Sequence, residues 1–490
     1  SIRLKNNVGL YLDHGVTLLA AASPATAGRG GRGRGGAGGR GRGGARGFAA
    51  TLPTTRFAQR GGDFLPATLP TTAPAGPAYD LAEPNEAAGT YQDFGHSHWH
   101  NSLIWGENLS NISITGPGMI DGVGLSRGAS AASVGAGEKA IALKSCHNVT
   151  FRDITIYRAG HFGILVTGVD NLTIDNLRID TNRDGIDIDC CRIVRVSDTS
   201  INSPNDDGLV LKSSFALGEV RDTANVTITN CQLSGYDVGT FLDGTFAKTM
   251  RSAPDGDGPT GRIKIGTETT GGFKNITISN CVFDHCRGLA LETVDGSPLE
   301  DISISNITMR DIVNSPIFLR LGTRMRAPAG TAVGDLRRVN ISNIVVYNAD
   351  PYYASIISGV PGHEIEDVHL SNIRIVYQGG GPKDLGKQIL PEYESDYPEP
   401  SMFGNTPAYV FFIRHVKGID LSNVQVSYMK DDYRPPFILE DVQGADFQNI
   451  QAPHAPGIST FVLRKVQDFS VRGSPWIPDA TKAKAEDESF

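Results

Sequence analysis

Asn182-Arg183-Asp184-Gly185-Ile186-Asp187-Ile188-Asp189 is followed one repeat later by Asn205-Asp206-Asp207-Gly208-Leu209-Val210-Leu211-Lys212. Aligned on their glycines, Ile186 falls over Leu209, Ile188 over Leu211, Asp184 over Asp207 and Arg183 over Asp206. His161-Phe162-Gly163-Ile164-Leu165-Val166 joins the same register one step earlier. Alternating apolar residues repeated in this way describe strands stacked in columns, with neighbours about 4.8 Å apart. Three carboxylates, Asp184, Asp206 and Asp207, then converge on one patch. Like charges that close cannot all remain ionised at ordinary pKa values.

Outward from this pair the pattern continues. Asn-Leu-Thr-Ile-Asp-Asn at 171–176 returns as Asn-Val-Thr-Ile-Thr-Asn at 225–230 and Asn-Ile-Thr-Ile-Ser-Asn at 275–280. Related phrases begin at 301, 338, 367, 418 and 444. A fixed period of about 22–23 residues where the repeat is cleanest is the signature of a solenoid. Two-residue alternation leaves no room for a helix in a rung. The fold predicted is all-β, a single-stranded right-handed parallel β-helix with a row of Ile, Leu and Val inside. The asparagines are expected in one column at a turn, each bonded to the next rung. Insertions at 238–262, 322–336 and 375–408 should form loops on one face, often the binding face of a solenoid.

The expected organisation is N-terminal strands over 1–21, an insertion over 22–90, the β-helix catalytic domain over 91–457, and capping strands with a tail over 458–490. The insertion is Gly/Arg-rich, then rich in Pro, Thr and Ala, and cannot bury a core. It reads as a solvated loop, with self-association or RNA contact as alternatives. His96, His98 and His100 alternate and would share one face of a strand, to bind a metal or line a sugar cleft beside Trp99 and Trp105. The chain opens directly on a strand and reads as a processed or trimmed form, so the absence of a signal peptide says nothing about secretion; a secreted or periplasmic location is the expectation.

Composition narrows the partners. The 490 residues hold 58 glycines, only 20% charged residues and a net charge of −8. Such a balance disfavours nucleic acid, which needs a basic face, and no apolar run is long enough for a membrane span. The six cysteines lack zinc-ribbon spacing and read as buried thiols, with Cys231 stacked near Cys281.

Glycosidic hydrolysis needs a proton donor and, across the anomeric carbon, a base or nucleophile. Asp184, Asp206 and Asp207 could supply both. A lone Asp-Gly turn would signify only turn formation, but two in register with a third carboxylate beside them carry more weight. Five further residues are candidates for binding an anionic sugar: Arg262, Lys264 and Arg287 near the carboxylates, Lys212, and His161. Arginine suits a uronate carboxylate because it can bind it with two parallel hydrogen bonds. Lys212 reads equally well as an ion pair with Asp189, and His161 as a packed histidine. Asp187 and Asp189 are expected to point outward. No cofactor or metal is called for.

At these residues the chain resembles the polygalacturonase family, glycoside hydrolase family 28, in its bacterial branch. Asn182-Arg183-Asp184-Gly185 is similar to the family's Asn-Thr-Asp-Gly motif, and Asp206-Asp207 to its Asp-Asp motif. The segments Tyr397–Gly404 and Arg414-His415 look like the bacterial branch. The resemblance implies inverting hydrolysis of galacturonide linkages in pectic poly- or oligosaccharides, with Asp206 as general acid and Asp184 with Asp207 activating water. Exo action is the expectation drawn from the long insertions. The family's Gly-His-Gly has no counterpart at Thr260-Gly261-Arg262, and the string Arg262-Ile263-Lys264 lies one coil earlier than the family's Arg-Ile-Lys. Two other readings compete: a polysaccharide lyase using Arg or Lys as base, and a non-catalytic β-helix of a surface or assembling protein.

Overall fold

The computed structural model describes residues 1–23, 79–127 and 136–490. The expectations for the Gly/Arg insertion fall almost wholly outside these residues.

The described residues form a parallel β-helix. Its rungs carry three strands in turn, and each pairs in parallel with its counterpart one coil away. In the first sheet Ile104 pairs with Ile141, Ile141 with Ile164, Ile164 with Ile186, Ile186 with Leu209, and Leu209 with Ile263. This is the register expected from the glycine alignment. The column is fully buried, and each such side chain contributes roughly 1.5–3 kcal/mol by leaving water. Later coils fuse the second and third strands into one, as in Leu336–Ala349 and Ile365–Gly379.

Asparagines turn the corners, in two columns rather than the one expected. One runs through Asn7, Asn111, Asn148 and Asn171, and the other through Asn306, Asn343, Asn372, Asn423 and Asn449. Side-chain amides bond along each column at 2.7–3.1 Å. The corner residues adopt left-handed backbone, for example Asn171 at φ 54° and Asn343 at φ 56°. Asparagine tolerates that region better than most residues, so one side chain serves both the bend and the ladder. The two asparagines of each phrase sit at successive corners, which the repeat alone does not distinguish.

The two ends are built differently. Residues Ile2–Arg3, Gly9–Tyr11 and Thr17–Leu19 form a coil that pairs with Ser102–Glu107, Ser110–Thr115 and Met119–Asp121. After residue 457, Phe461–Arg472 is one more parallel rung, and only Ala480–Ser489 reverses to pair antiparallel with it. Phe411, Phe437, Phe461 and Phe490 stack at 6.3, 5.0 and 5.5 Å between ring centres and fill this end. All six cysteines are free and buried.

Two coverings lie on the outer face of the first sheet. Residues 79–101 lay Trp99 over it, against Trp105, Ala142, Phe162, Leu165 and Ala216. Glu83 accepts hydrogen bonds from the Trp99 and His100 backbone amides at 2.9 and 3.0 Å. The second covering, residues 380–408, is held by three buried arginines that donate to its carbonyls. Arg320 reaches Tyr393 O at 2.8 Å, Arg414 reaches Leu390 O at 2.8 Å, and Arg434 reaches Thr406 O at 3.1 Å.

The first covering buries an outward-facing pair and overturns one expectation. Asp187 and Asp189 are on the outer face of their strand but fully buried. The histidines do not share a strand face, because Phe94–Ser97 is a 3-10 turn. His96 lies 3.3 Å from Asp187, His98 stacks on Phe94, and His100 stacks on Trp105.

Candidate functional site

The three aspartates sit at the turns that lead into first-sheet strands Ile186–Asp189 and Leu209–Ser213. Glycine follows Asp184 and Asp207 because the coils come very close there. A Cβ on Gly185 would lie 2.4 Å from the Gly208 carbonyl oxygen, and one on Gly163 would lie 2.4 Å from that of Gly185. The glycine column therefore sets the carboxylates directly above one another. One oxygen from each of Asp184, Asp206 and Asp207 lies within 4.8 Å of the others.

Their environments differ. Burial, then the charges of Asp206 and Asp187, hold Asp184 well above the usual carboxylate range. Asp207 is also buried, but Lys264, Arg262 and Arg287 outweigh that penalty and bring it down to about 2. Asp184 therefore keeps its proton to a higher pH than Asp207, a split of the kind that acid–base chemistry uses. Asp206 is the most open of the three, with 28% of its side chain exposed, and it accepts hydrogen bonds from Arg183 Nη2 at 2.6 Å and Nε at 3.2 Å.

The predicted binding residues divide. Arg262, Lys264 and Arg287 line the cleft with Asp206 and Asp207, in the predicted register. None is a free cation. Arg262 donates to Asp207 Oδ1 at 2.9 Å and to Glu399 at 3.0 and 2.6 Å. Arg287 donates to Asp255 at 2.7 Å and lies 3.2 Å from Glu399. Lys264 lies 3.3 Å from Glu292 and 3.6 Å from Asp207. Lys212 aligns with Asp189 as expected, yet it is buried and bonds to Glu268 at 2.7 Å, with Asp187 at 3.8 Å. The surface ion pair with Asp189 is thereby corrected: the first covering closes over Lys212, and Asp189 instead accepts from Ser214 N at 2.8 Å. His161 is buried, packs 4.2 Å from the Phe162 ring and pairs with the Arg127 carbonyl. Burial and then Arg183 keep it neutral, well below the usual histidine range.

Sequence reasoning missed Glu399 as a partner of these cations. Tyr397 was noticed only as part of a motif, yet its ring is 56% exposed and lines the cleft, with Lys264 Nζ 5.2 Å from the ring centre. Both come from the 375–408 insertion, where no repeat aligns them with a coil. Among the described residues two groups of side chains could hold a metal ion on proximity alone: the three aspartates, and Asp93 with His96 and Glu268. Among the described residues no helix is long and apolar enough to cross a membrane.

Comparison with known proteins agrees with this architecture. Residues 108–253 match the family model described as "Right handed beta helix region". The chain is similar to the Yersinia enterocolitica family 28 exopolygalacturonase, at 14% identity over 93% of this chain and 71% of that one, with a TM-score of 0.56. It is also similar to a hyperthermoactive exopolygalacturonase from Thermotoga maritima, at 17% identity, 61% and 71% coverage and a TM-score of 0.47. PfbA, a surface adhesin of Streptococcus pneumoniae, matches at 10% identity, 78% and 87% coverage and a TM-score of 0.42. No curated protein sequence matches the chain. At such identities the likeness establishes the fold: a right-handed parallel β-helix.

Proposed function

We propose that the protein is a glycoside hydrolase that cleaves pectic poly- or oligosaccharides by inversion, with Asp184, Asp206 and Asp207 as its catalytic residues. The observation that carries this reading is three carboxylates within 4.8 Å of one another, with Asp184 held above and Asp207 below the usual carboxylate range. The proton that Asp184 retains lies within reach of the other two carboxylates. Asp206, the most exposed member, donates it to the leaving glycosidic oxygen. A water held between Asp184 and Asp207 adds its hydroxyl to the anomeric carbon, and its proton returns to the carboxylates. Two hydrogen bonds of about 2.8 Å let one water bridge oxygens separated by 4.8 Å. The cleft encloses about 290 Å³, near the lower end of ordinary ligand sites, which favours a chain end and exo action. Such a substrate implies a place outside the cytoplasm. The lyase alternative has less support, because Arg262, Lys264 and Arg287 are all ion-paired rather than free to act as bases.

The test is incubation with pectic oligosaccharides, following reducing ends, ultraviolet absorbance and the anomer first released by NMR. New reducing ends of inverted configuration, lost in Asp206→Asn, are expected. Unsaturated product would displace the reading in favour of a lyase, and retained configuration would make one aspartate a nucleophile.

A further inference from the structure

The cleft already contains a carboxylate where a uronate would be expected to bind. Glu399 is 6% exposed and engages Arg262 through both oxygens, at 3.0 and 2.6 Å. Arg287 Nη1 lies 3.2 Å from it, and Asn314 Nδ2 donates to it at 3.0 Å. A guanidinium gripping both oxygens of a carboxylate is the way a protein recognises a sugar acid. Here that grip is satisfied from within.

The seat is rigid. Glu399 stands between Pro398 and Pro400, whose rings fix the local backbone. Arg320, Arg414 and Arg434 hold the surrounding loop by its carbonyls. Phe403 and Leu390 of the same loop pack on Phe318, Ile356 and Phe412 of the coil. Displacing Glu399 would leave buried charges unpaired, which is costly.

Charge balance points the same way. The cleft is lined by four cations, Arg183, Arg262, Lys264 and Arg287, and four carboxylates, Asp206, Asp207, Asp255 and Glu399. A uronate entering would add one uncompensated charge, whereas a neutral sugar would leave the balance intact. The exposed Tyr397 ring at the same wall offers an apolar face against which an uncharged sugar ring can pack.

We infer that Glu399 is the specificity-determining residue of this cleft: it occupies the carboxylate seat and selects a sugar residue that carries no carboxylate. The inference rests on the cleft being the glycan site proposed above. It narrows the substrate to pectic structures with a neutral residue at this subsite.

The experiment uses a matched pair, oligogalacturonides and the same material after carboxyl reduction, which changes only the acid group to an alcohol. Binding by titration calorimetry and cleavage by reducing ends are measured for wild type and Glu399→Gln, with melting curves to confirm folding. Wild type should bind the reduced form at least tenfold more tightly. Glu399→Gln should move the ratio at least tenfold toward the acid form. Preference of the wild type for the acid form overturns the inference even if the variant does not fold. Binding of neither form, or an unmoved ratio in a folded variant, overturns it as well. Preferential binding of the reduced form without cleavage upholds the inference and sinks the hydrolase reading alone.

Discussion

Asp207→Asn removes one charge from a buried, ion-paired carboxylate of the cleft while keeping its shape. Folding lowers Asp207 from 3.8 to about 2. At 1.36 kcal/mol per pKa unit that is roughly 2 kcal/mol of stability at pH 7. Asp207 is buried, so solvent does not screen this appreciably. Because the folded value lies below the unfolded one, the stabilisation is present above about pH 4 and is lost as the pH falls toward 2. The same relation leaves about 1 kcal/mol at pH 3. Urea titrations of wild type and Asp207→Asn, followed by circular dichroism between pH 7 and pH 3, read this difference directly. The variant should be the weaker by about 2 kcal/mol at pH 7, with the gap roughly halved at pH 3. A gap independent of pH would show that the loss is steric or hydrogen-bonded. A variant as stable as wild type at pH 7 would show that Lys264 and Arg262 do not hold Asp207 as an anion.

Asp206→Asn should lower kcat by about 10²–10⁴ and change stability by less than about 1 kcal/mol, because its pair with Arg183 is partly open to water; unchanged turnover would remove Asp206 from the donor role. The rate should fall with rising pH as the proton held on Asp184 is lost, and this limb should lie above the ordinary carboxylate range; a limb at or below about pH 4 would contradict the assignment. Asn343→Ala breaks ladder bonds to Asn306 and Asn372 and puts alanine at φ 56°, for an expected cost of about 1–2 kcal/mol in urea titration; a change within error would show the ladder to be incidental. Phe461→Ala should cost about 3–5 kcal/mol by opening the aromatic stack between Phe437 and Phe490, and a loss under about 1 kcal/mol would mean that the end of the coil repacks.

Two-residue alternation and a fixed period were enough to place Ile186 over Leu209 and Leu209 over Ile263, because a one-residue slip would turn the apolar face to solvent. The same register sets Asp184 and Asp207 in one column. What lies across the column from another part of the chain left no periodic trace. Glu399 meets Arg262 across 137 residues, from a loop whose spacing follows no rung. The burial of Asp187 and Lys212 depends on residues 79–101 folding over them, and alternation alone marks such residues only as facing away from the core. His96, His98 and His100 looked like strand neighbours because spacing cannot reveal that Phe94–Ser97 winds into a turn.

The coil is indifferent to how far the chain wanders between rungs. Asn225 and Asn275 are 50 residues apart yet bond at 2.7 Å, as tightly as Asn148 and Asn171 across 23. The excursion between them therefore leaves its neighbours' hydrogen bonds and core contacts intact, provided it returns to the same corner. Its letters are free to drift, lengthen or be exchanged without threatening foldability. Arg262 belongs to the obligatory rung and Glu399 to a tolerant excursion, so descent can rewrite what this cleft accepts one loop at a time while the stack beneath inherits its pattern unchanged.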